Sequence, residues 1–384
     1  MFISRIKIRN WRNFRDIDVQ LSEITCLIGP NASGKSNLLD VFRFMRDLVN
    51  PRGGGLQQSV GARGGLKKIR CLAARQPSDV EIEVELRESL AEQVDPPEWR
   101  YVLAITSQQG GKRKAVVKKE EVYRCGKSIL VRPVESDVDD PERLTETYLE
   151  QVNSNTDFRE IAHFFEKTLY LHLVPQLLKF SDLFVTRNTE SDPFGQGFLD
   201  EIAAVSGKTQ TSRLRRIESI LKDVIPHFEE LRFVKDEITG RPHLEMRYVH
   251  WRPLAGWQRE DQFSDGTLRL IALIWTLLST DNLILLEEPE LSLHRRIVEQ
   301  IPKLISDARR SRRKAGGQVV ITTHSPALLS DTSFSGTFLI LKPGENGEPT
   351  IVQMPSDQDI AAMKSGMSAA DILLPQTSES IGDL

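Results

Sequence analysis

The sequence predicts an α/β fold: a mixed, mainly parallel sheet, an antiparallel β subdomain and an inserted helical lobe. An apolar strand at residues 24–28 leads through a Gly-rich turn directly into a helix. After Gly266, helices and strands alternate, as they do around a parallel sheet. Between residues 80 and 123, strand-like segments follow one another without helices between them, which is typical of an antiparallel meander.

Composition limits the classes of protein that this chain can be. With 384 residues and 39% apolar residues, the chain can bury a core and is too apolar to be disordered. Its net charge of -3 predicts no general attraction to nucleic acid or membranes. Cys26, Cys71 and Cys125 have spacings that match no metal site or disulfide framework, which indicates the cytoplasm. No apolar run reaches the roughly 18 residues of a membrane span, so we expect no membrane contact.

The first third of the chain is predicted to be mostly strands around one helix. The helix extends from Lys35 to about Leu48 and should end before Pro51. The stretch Pro51–Gly65 is rich in Gly, Arg and Gln and is predicted to be a loop, and Gly110-Gly111 is predicted to be a hairpin turn. The predicted strands are Ile3–Ile8, Ile24–Ile28, Val80–Leu86, Tyr101–Thr106 and Ala115–Tyr123.

The rest of the chain divides into a helical segment and an alternating segment. Asp139–Ile225 is predicted to be helical with a loop at Asn188–Gly197, and the tail beyond Pro355 is polar and weakly patterned. Between the helical segment and the tail, the sequence predicts strands and helices joined by one turn. These are strands at Phe233, His243–Val249, Leu283–Glu287 and Gln318–Thr322, a turn at Thr239-Gly240, and helices at Thr267–Leu278 and Leu291–Arg310. The predicted divisions are 1–138, 139–255 (the helical lobe), 256–355 and 356–384.

The segment from Gly29 to Ser36 matches the phosphate-loop pattern G-x-x-x-x-G-K-[ST]. Backbone N–H groups of such a loop, together with the N-terminus of the helix that follows, favour the negative charge of a phosphate. We expect Lys35 to reach the β- and γ-phosphates and the Ser36 hydroxyl to bind Mg²⁺. A surface turn with an incidental lysine is the alternative, but the strand before and the helix after argue against it.

A buried apolar strand ends in the acidic segment Glu287-Glu288-Pro289-Glu290. In open α/β sheets, ligands bind beside the carboxyl ends of the strands. Glu287 can therefore hold Mg²⁺ through water, and Glu288 can orient or deprotonate the attacking water. The alternative is a plain acidic helix start, which the helix dipole stabilises in any case. The phosphate loop makes the functional interpretation the better one.

Two further segments complete the candidate site. His324 follows a predicted strand, where it can contact a γ-phosphate or its attacking water, although an isolated His is more often structural. Ser264-Asp265-Gly266 precedes an apolar helix, so its hydroxyl and N–H groups can form an anion site. Taken alone, this segment would be an ordinary N-cap.

The order of these segments resembles that of an ABC ATPase nucleotide-binding domain. The N-terminal segment I-x-I-x-N-W-R-N-F-R and the phosphate-loop segment I-G-P-N-A-S-G-K-S-N resemble those of the SMC, RecF and OLD branch rather than those of transporters. The run E-E-P-E-L-S-L-H resembles the stand-alone ATPases of that branch, many of which are found beside nucleases in bacterial anti-phage systems. Two departures are the Ser-Asp-Gly-Thr signature, which argues against a transporter, and Glu287, which replaces the usual Asp.

The resemblance implies a role for each matching residue. Glu288 would be the catalytic carboxylate and His324 the switch histidine. Ser264 and Gly266 would act on the γ-phosphate of a partner subunit's ATP, with Leu291-Ser292 facing that partner. The nucleotide contacts that it implies are Arg12, Asn31, Gly34, Lys35, Ser36 and Asn37. The Mg²⁺ contacts are Ser36, Glu287 and Gln176, the last as the glutamine that senses Mg²⁺ and γ-phosphate.

The implied function is that of an ATP-hydrolysing head. It would form a homodimer on ATP and drive or gate a companion effector, such as a nuclease or toxin, in DNA maintenance or anti-phage defence. The alternative is a nucleotide-gated scaffold or sensor with slow hydrolysis that holds such an effector. A self-contained OLD-type nuclease is disfavoured, because only about 60 residues follow His324.

DNA binding is left open by the sequence. Basic residues cluster at 309–314 and at 112–119. The first cluster would complement the dipole at a helix C-terminus, and solvated hairpins are often charged. No motif for reading bases accompanies either cluster.

Overall fold

The computed structural model describes residues 1–91, 95–108, 114–179, 194–250, 256–310, 317–332 and 334–378. Its strands are β1 (Phe2–Trp11), β2 (Phe14–Gln20), β3 (Ile24–Ile28), β4 (Val80–Arg87), β5 (Trp99–Ser107), β6 (Ala115–Arg124), β7 (Lys127–Arg132), β8 (Leu169–Leu171), β9 (Phe228–Lys235), β10 (Pro242–Tyr248), β11 (Gln258–Arg259), β12 (Ile284–Glu287), β13 (Val319–Thr323), β14 (Thr337–Lys342) and β15 (Ile351–Gln353). Its helices are α1 (Lys35–Val49), α2 (Leu56–Ala62), α3 (Leu66–Ile69), α4 (Glu135–Asp139), α5 (Arg159–Glu166), α6 (Pro175–Lys179), α7 (Phe198–Ala204), α8 (Gly207–Val224), α9 (Asp265–Ser279), α10 (Arg295–Val298), α11 (Ile301–Arg310), α12 (Asp357–Lys364) and α13 (Ala369–Ser378).

The core sheet has the strand order β15-β14-β3-β13-β12-β8, and all neighbouring pairs except β14 with β15 are parallel. Alternate side chains of each strand point to opposite faces, so each face contributes to a separate core. Leu285 and Val320 belong to the core that includes α1, whereas Leu286 and Ile321 belong to the core that includes α9. The sheet is thus buried on both faces, as the apolar strand sequences predict.

The antiparallel subdomain is a second sheet with the order β2-β1-β4-β5-β6-β7. On β1, Ile6 and Ile8 are buried, while Arg5 pairs with Asp18 and Glu85. This alternation is that of a sheet with one face in the core and the other in solvent. A third, smaller sheet has the order β11-β10-β9. The fold is therefore the α/β fold with an antiparallel subdomain that the sequence predicts.

Three predictions about single elements were wrong. The predicted helix Leu291–Arg310 is two helices, α10 and α11, and Pro302 occupies the first turn of α11, where a missing N–H is tolerated. The predicted loop Pro51–Gly65 contains α2, because Leu56 and Val60 are buried in the core. The predicted helical segment Asp139–Ile225 contains β8, which joins the core sheet beside β12.

The tail beyond Pro355 forms α12 and α13, and Leu373 of α13 is fully buried. The turn at Gly110-Gly111 and most of the loop Asn188–Gly197 lie outside the described residues. Within the described ranges, no helix is both long and apolar enough to cross a bilayer.

Candidate functional site

The phosphate loop lies between the end of β3 and the start of α1. Gly34 is the N-cap of α1 with φ 97°, and a Cβ there would lie 2.1 Å from Asn13 Nδ2. The Asn13 amide donates to the Ser33 carbonyl oxygen at 3.1 Å and accepts from the Asn37 amide at 2.8 Å. Glycine is therefore needed at position 34 for both the backbone conformation and the close approach of Asn13. Asn31 is exposed in the loop.

Lys35 lies folded across its own loop. Its Nζ donates to the carbonyl oxygens of Gly29 at 2.8 Å and Pro30 at 2.9 Å, and the residue is only 6% exposed. Burial lowers the pKa of Lys35, and three carboxylates at the end of β12 act in the opposite direction, namely Glu288, Glu290 and Glu287. The ammonium is thus held next to the space where a strand-end ligand would bind.

Glu287 ends β12, and both of its carboxylate oxygens accept hydrogen bonds. Ser36 Oγ donates to Oε1, and the Tyr170 hydroxyl donates to Oε2. Burial, reinforced by Glu287, raises the pKa of Tyr170, so its hydroxyl is a protonated donor at neutral pH. Tyr170 was not predicted, because its strand β8 was not recognised in the sequence.

This donor set fits Mg²⁺. A hydroxyl and a carboxylate are the hard oxygen ligands that this ion prefers. No cluster of three or more His, Cys, Asp or Glu side chains suited to a metal occurs among the described residues. Mg²⁺ needs no such cluster, because it keeps several waters and takes its other ligands from substrate phosphates.

Glu288 follows in a strained backbone conformation. Its φ of 44° is in the left-handed region, which is unfavourable for a residue with a side chain. Its N–H donates to the Thr322 carbonyl oxygen at 3.2 Å, and Oε1 lies 3.2 Å from His324 Nδ1. The ends of β12 and β13 therefore bring the predicted carboxylate and the predicted histidine into contact. Strain of this kind is concentrated at functional sites in proteins.

Glu290 and Arg269 are buried behind these residues. Thr323 Oγ1 donates to Glu290 Oε1, and burial raises the pKa of Glu290. Glu290 Oε2 has no hydrogen-bond partner among the described residues. Arg269 of α9 donates to the Glu288 carbonyl oxygen at 3.2 Å. This contact joins the helix that follows the Ser-Asp-Gly segment to the backbone of the strained glutamate.

The Ser-Asp-Gly segment starts α9. Ser264 is the N-cap, and its Oγ accepts from the Thr267 N–H at 3.1 Å. A Cβ on Gly266 would lie 2.7 Å from the Ser292 carbonyl oxygen, so only glycine allows this approach. In the hydrogen bonds described, neither Ser264 nor Gly266 contacts the phosphate loop of its own chain.

Two predicted contacts lie apart from the Ser36–Glu287 pair. Arg12 donates through Nε and Nη2 to Asp40 Oδ2, at 3.1 and 2.5 Å, and lines a cleft of about 300 Å³ with Asn37. Gln176 in α6 donates to Asp265 Oδ2 at 3.2 Å. Its predicted role at Mg²⁺ stays a prediction, and in this conformation it contacts the Ser-Asp-Gly segment instead.

Comparisons with known proteins give a family and a fold. The family model described as AAA domain, putative AbiEii toxin, Type IV TA system matches residues 24–330. The DNA replication and repair protein RecF of Synechocystis sp. is 37% identical over 92 residues, which are 23% of this chain and 23% of that protein. RecF of Roseiflexus castenholzii is 29% identical over 101 residues, 24% of this chain and 26% of that protein. The chain thus spans about a quarter of the length of these relatives.

One solved structure supports the architecture. The structure of the SmcHead bound to the C-winged helix domain of ScpA covers 95% of this chain and 100% of its own, with a TM-score of 0.55. Its sequence identity to this chain is 13%, so the similarity is one of fold.

Proposed function

The chain belongs to the family described as AAA domain, putative AbiEii toxin, Type IV TA system, and on that premise we propose that it binds and hydrolyses ATP with Mg²⁺ as a homodimer that drives or gates a companion effector. It is an ABC-type ATPase head of the SMC and RecF branch. The cytoplasm, where its three free cysteines would stay reduced, is its proposed location.

One observation carries the proposal for hydrolysis. The phosphate loop, the Ser36–Glu287 pair and the Glu288–His324 pair converge at the carboxyl ends of β3, β12 and β13. Lys35 would neutralise charge on the β- and γ-phosphates, and Ser36 and Glu287 would hold Mg²⁺, which supplies electrostatic stabilisation of the transferred phosphoryl group. Glu288 would orient the attacking water and accept its proton, while His324 holds the Glu288 carboxylate.

The proposal for a homodimer rests on the Ser-Asp-Gly segment. Ser264 is exposed, and its hydroxyl contacts only Thr267 of its own helix start in the hydrogen bonds described. The Ser264 hydroxyl is therefore available to the phosphate of an ATP bound to a second copy, and Gly266 lies two residues further along the same helix start. In a twofold dimer, two such composite sites form at once.

A protein effector is a better-supported target than DNA. The described lysines of the basic hairpin form ion pairs with carboxylates, namely Lys114 with Glu142, Lys118 with Asp79 and Lys119 with Glu121. The SMC head of known structure is bound to a domain of another protein, ScpA. We therefore propose that the partner is a protein, such as a toxin or nuclease, in a defence or DNA-maintenance setting.

The substitution Glu288→Gln tests hydrolysis. It keeps the shape of the side chain but removes the base, so ATP affinity should stay within about twofold while turnover falls by roughly 10²–10⁴-fold. Phosphate release and calorimetric ATP binding measure the two effects, and Glu299→Gln, on an exposed ion pair with Arg295, is the matched control. Turnover at the wild-type rate would exclude Glu288 as the base. If wild-type chains form dimers when ATP binds but hydrolyse it only very slowly, the result supports the nucleotide-gated sensor instead of the ATP-hydrolysing head.

A further inference from the structure

Tyr170 lies on β8, the edge strand of the core sheet, directly beside the strand that carries the acidic residues. Its backbone pairs with Leu285 of β12, two residues before Glu287. The side chain is nearly buried, with 8% exposure, and its hydroxyl reaches forward to Glu287 Oε2. Tyr170 therefore contacts the carboxylate oxygen that Ser36 does not contact.

The length of the Glu287 side chain explains why such a contact matters. A glutamate has one more rotatable bond than the aspartate usual at this position, so its carboxylate can adopt more orientations. Here one oxygen is fixed by Ser36 and the other by Tyr170, which leaves a single orientation. If Ser36 turned towards Mg²⁺, the Tyr170 hydroxyl would remain as a donor to the Glu287 carboxylate.

The Tyr170 ring is itself held from the other side. The Arg43 guanidinium lies 4.2 Å from the ring centroid, a cation–π contact, and Arg43 Nη1 lies 3.9 Å from Asp40 Oδ1. Arg43 and Asp40 belong to α1, the helix that the phosphate loop opens. The ring is thus clamped between that helix and the sheet, so its hydroxyl has a fixed position relative to the loop.

We propose that Tyr170 is a positioning residue that fixes the Glu287 carboxylate for Mg²⁺ and thereby sets the affinity of the site for the magnesium complex of a nucleotide. This inference rests on the proposed function, since it assumes that nucleotide and Mg²⁺ bind at the phosphate loop. Tyr170 does not itself touch the nucleotide in this role. Its effect is on the orientation of another side chain, and it should appear in metal dependence rather than in nucleotide binding as such.

The variant Tyr170→Phe removes the hydroxyl and keeps the ring over Arg43. We expect the Mg²⁺ concentration for half-maximal binding of a non-hydrolysable ATP analogue to rise about tenfold, from the loss of one hydrogen bond to a charged group. Binding of the analogue in EDTA should stay unchanged. Calorimetry over a range of Mg²⁺ concentrations, and Mn²⁺ binding by electron paramagnetic resonance, measure this without turnover.

The matched control is Tyr123→Phe, which removes another tyrosine–glutamate hydrogen bond, the 3.1 Å contact of Tyr123 with Glu121 in the antiparallel sheet. It should leave the Mg²⁺ dependence unchanged. Glu287→Asp shortens the side chain by one methylene, so its carboxylate should not reach the tyrosine. In that background Tyr170→Phe should add less than about twofold. Arg43→Met, which frees the ring, should shift the Mg²⁺ dependence in the same direction.

The outcomes separate this inference from the proposed function. If the wild-type chain binds the analogue with Mg²⁺, and neither Tyr170→Phe nor Arg43→Met changes the Mg²⁺ dependence, the positioning role is refuted. A full tenfold effect of Tyr170→Phe in the Glu287→Asp background would also refute it, because the effect would not act through the carboxylate. If the wild-type chain binds no analogue at any Mg²⁺ concentration, the proposed function itself fails.

Discussion

The substitution Ser264→Arg separates ATP binding from assembly. Ser264 caps α9 by accepting the Thr267 N–H at 3.1 Å, and loss of such a cap costs about 1 kcal/mol. A domain of ordinary stability, about 5–15 kcal/mol, tolerates this loss. The helix is also held by a continuous run of buried residues from Thr267 to Leu278. The variant should therefore fold and bind ATP at its own phosphate loop with little change.

The same substitution should prevent the composite site from forming. Residue 264 is exposed, so an arginine there places its bulk and charge on the surface that we propose faces the partner's ATP. Loss of the hydroxyl contact and of close approach should reduce hydrolysis by roughly a hundredfold or more. The matched control is Ser206→Arg, because Ser206 caps α8 in the same way, through the Thr209 N–H. That variant should pair and hydrolyse ATP normally.

Mixing variants gives the quantitative assay. When Ser264→Arg and Lys35→Ala chains are mixed in equal amounts, only a dimer with one chain of each kind contains an intact composite site. One composite site of such a dimer has both lesions and the other has neither. Random pairing would restore about a quarter of the wild-type phosphate release, and exclusive formation of mixed dimers about half. The shared-site reasoning fails if mixing restores nothing while both variants still pair, or if Ser264→Arg alone hydrolyses ATP normally.

Two further predictions concern binding and stability. Lys35→Ala should weaken ATP binding by at least about thirtyfold in calorimetry, through loss of a charged hydrogen bond, whereas Lys222→Ala should not. Arg132→Met should lower the free energy of unfolding in urea at pH 7 by about 3–5 kcal/mol, because Asp137 and Glu120 would stay buried without their cation. Burial raises the pKa of Asp137, but hydrogen bonds from Arg132 and Val134 lower it overall, so this stabilisation should fade as the pH falls below the usual carboxyl range. An equal loss of unfolding free energy at every pH would contradict this reasoning. So would a loss of the same size in the control variant Arg143→Met.

Local patterns predicted those parts of the molecule whose structure depends on neighbouring residues. The phosphate loop is one, because the spacing of Gly29, Gly34 and Lys35 determines a turn and a helix start within eight residues. The strands β4, β5 and β6 are another, because β4 alternates apolar and acidic residues and β5 contains an apolar run of strand length, with β6 following in the same meander. The fold class followed from the order of such elements. The chemistry of the site could be proposed because its residues also lie in local sequence patterns, namely Ser36, Glu287, Glu288 and His324.

Short elements were missed because distant residues stabilise them. β8 has three residues, and its partner β12 lies more than a hundred residues along the chain, so no local pattern marks it as a strand. Helix α2 begins in a Gly-rich stretch because Leu56 is buried and its N–H donates to Glu150 Oε2 at 2.9 Å. Both elements depend on tertiary packing, which overrides local propensity.

The sequence by itself determined the loop, the residue types of the site and the α/β class, because these depend on local spacing and on burial patterns. Only the tertiary structure decided that Tyr170 holds Glu287, that Arg12 contacts Asp40, and that Gln176 contacts Asp265. The physical reason is the strand order of the core sheet, which places β3, β13, β12 and β8 side by side although they are far apart in the chain. Hydrogen bonding between these strands, not their sequences taken singly, brings the side chains at their carboxyl ends into contact.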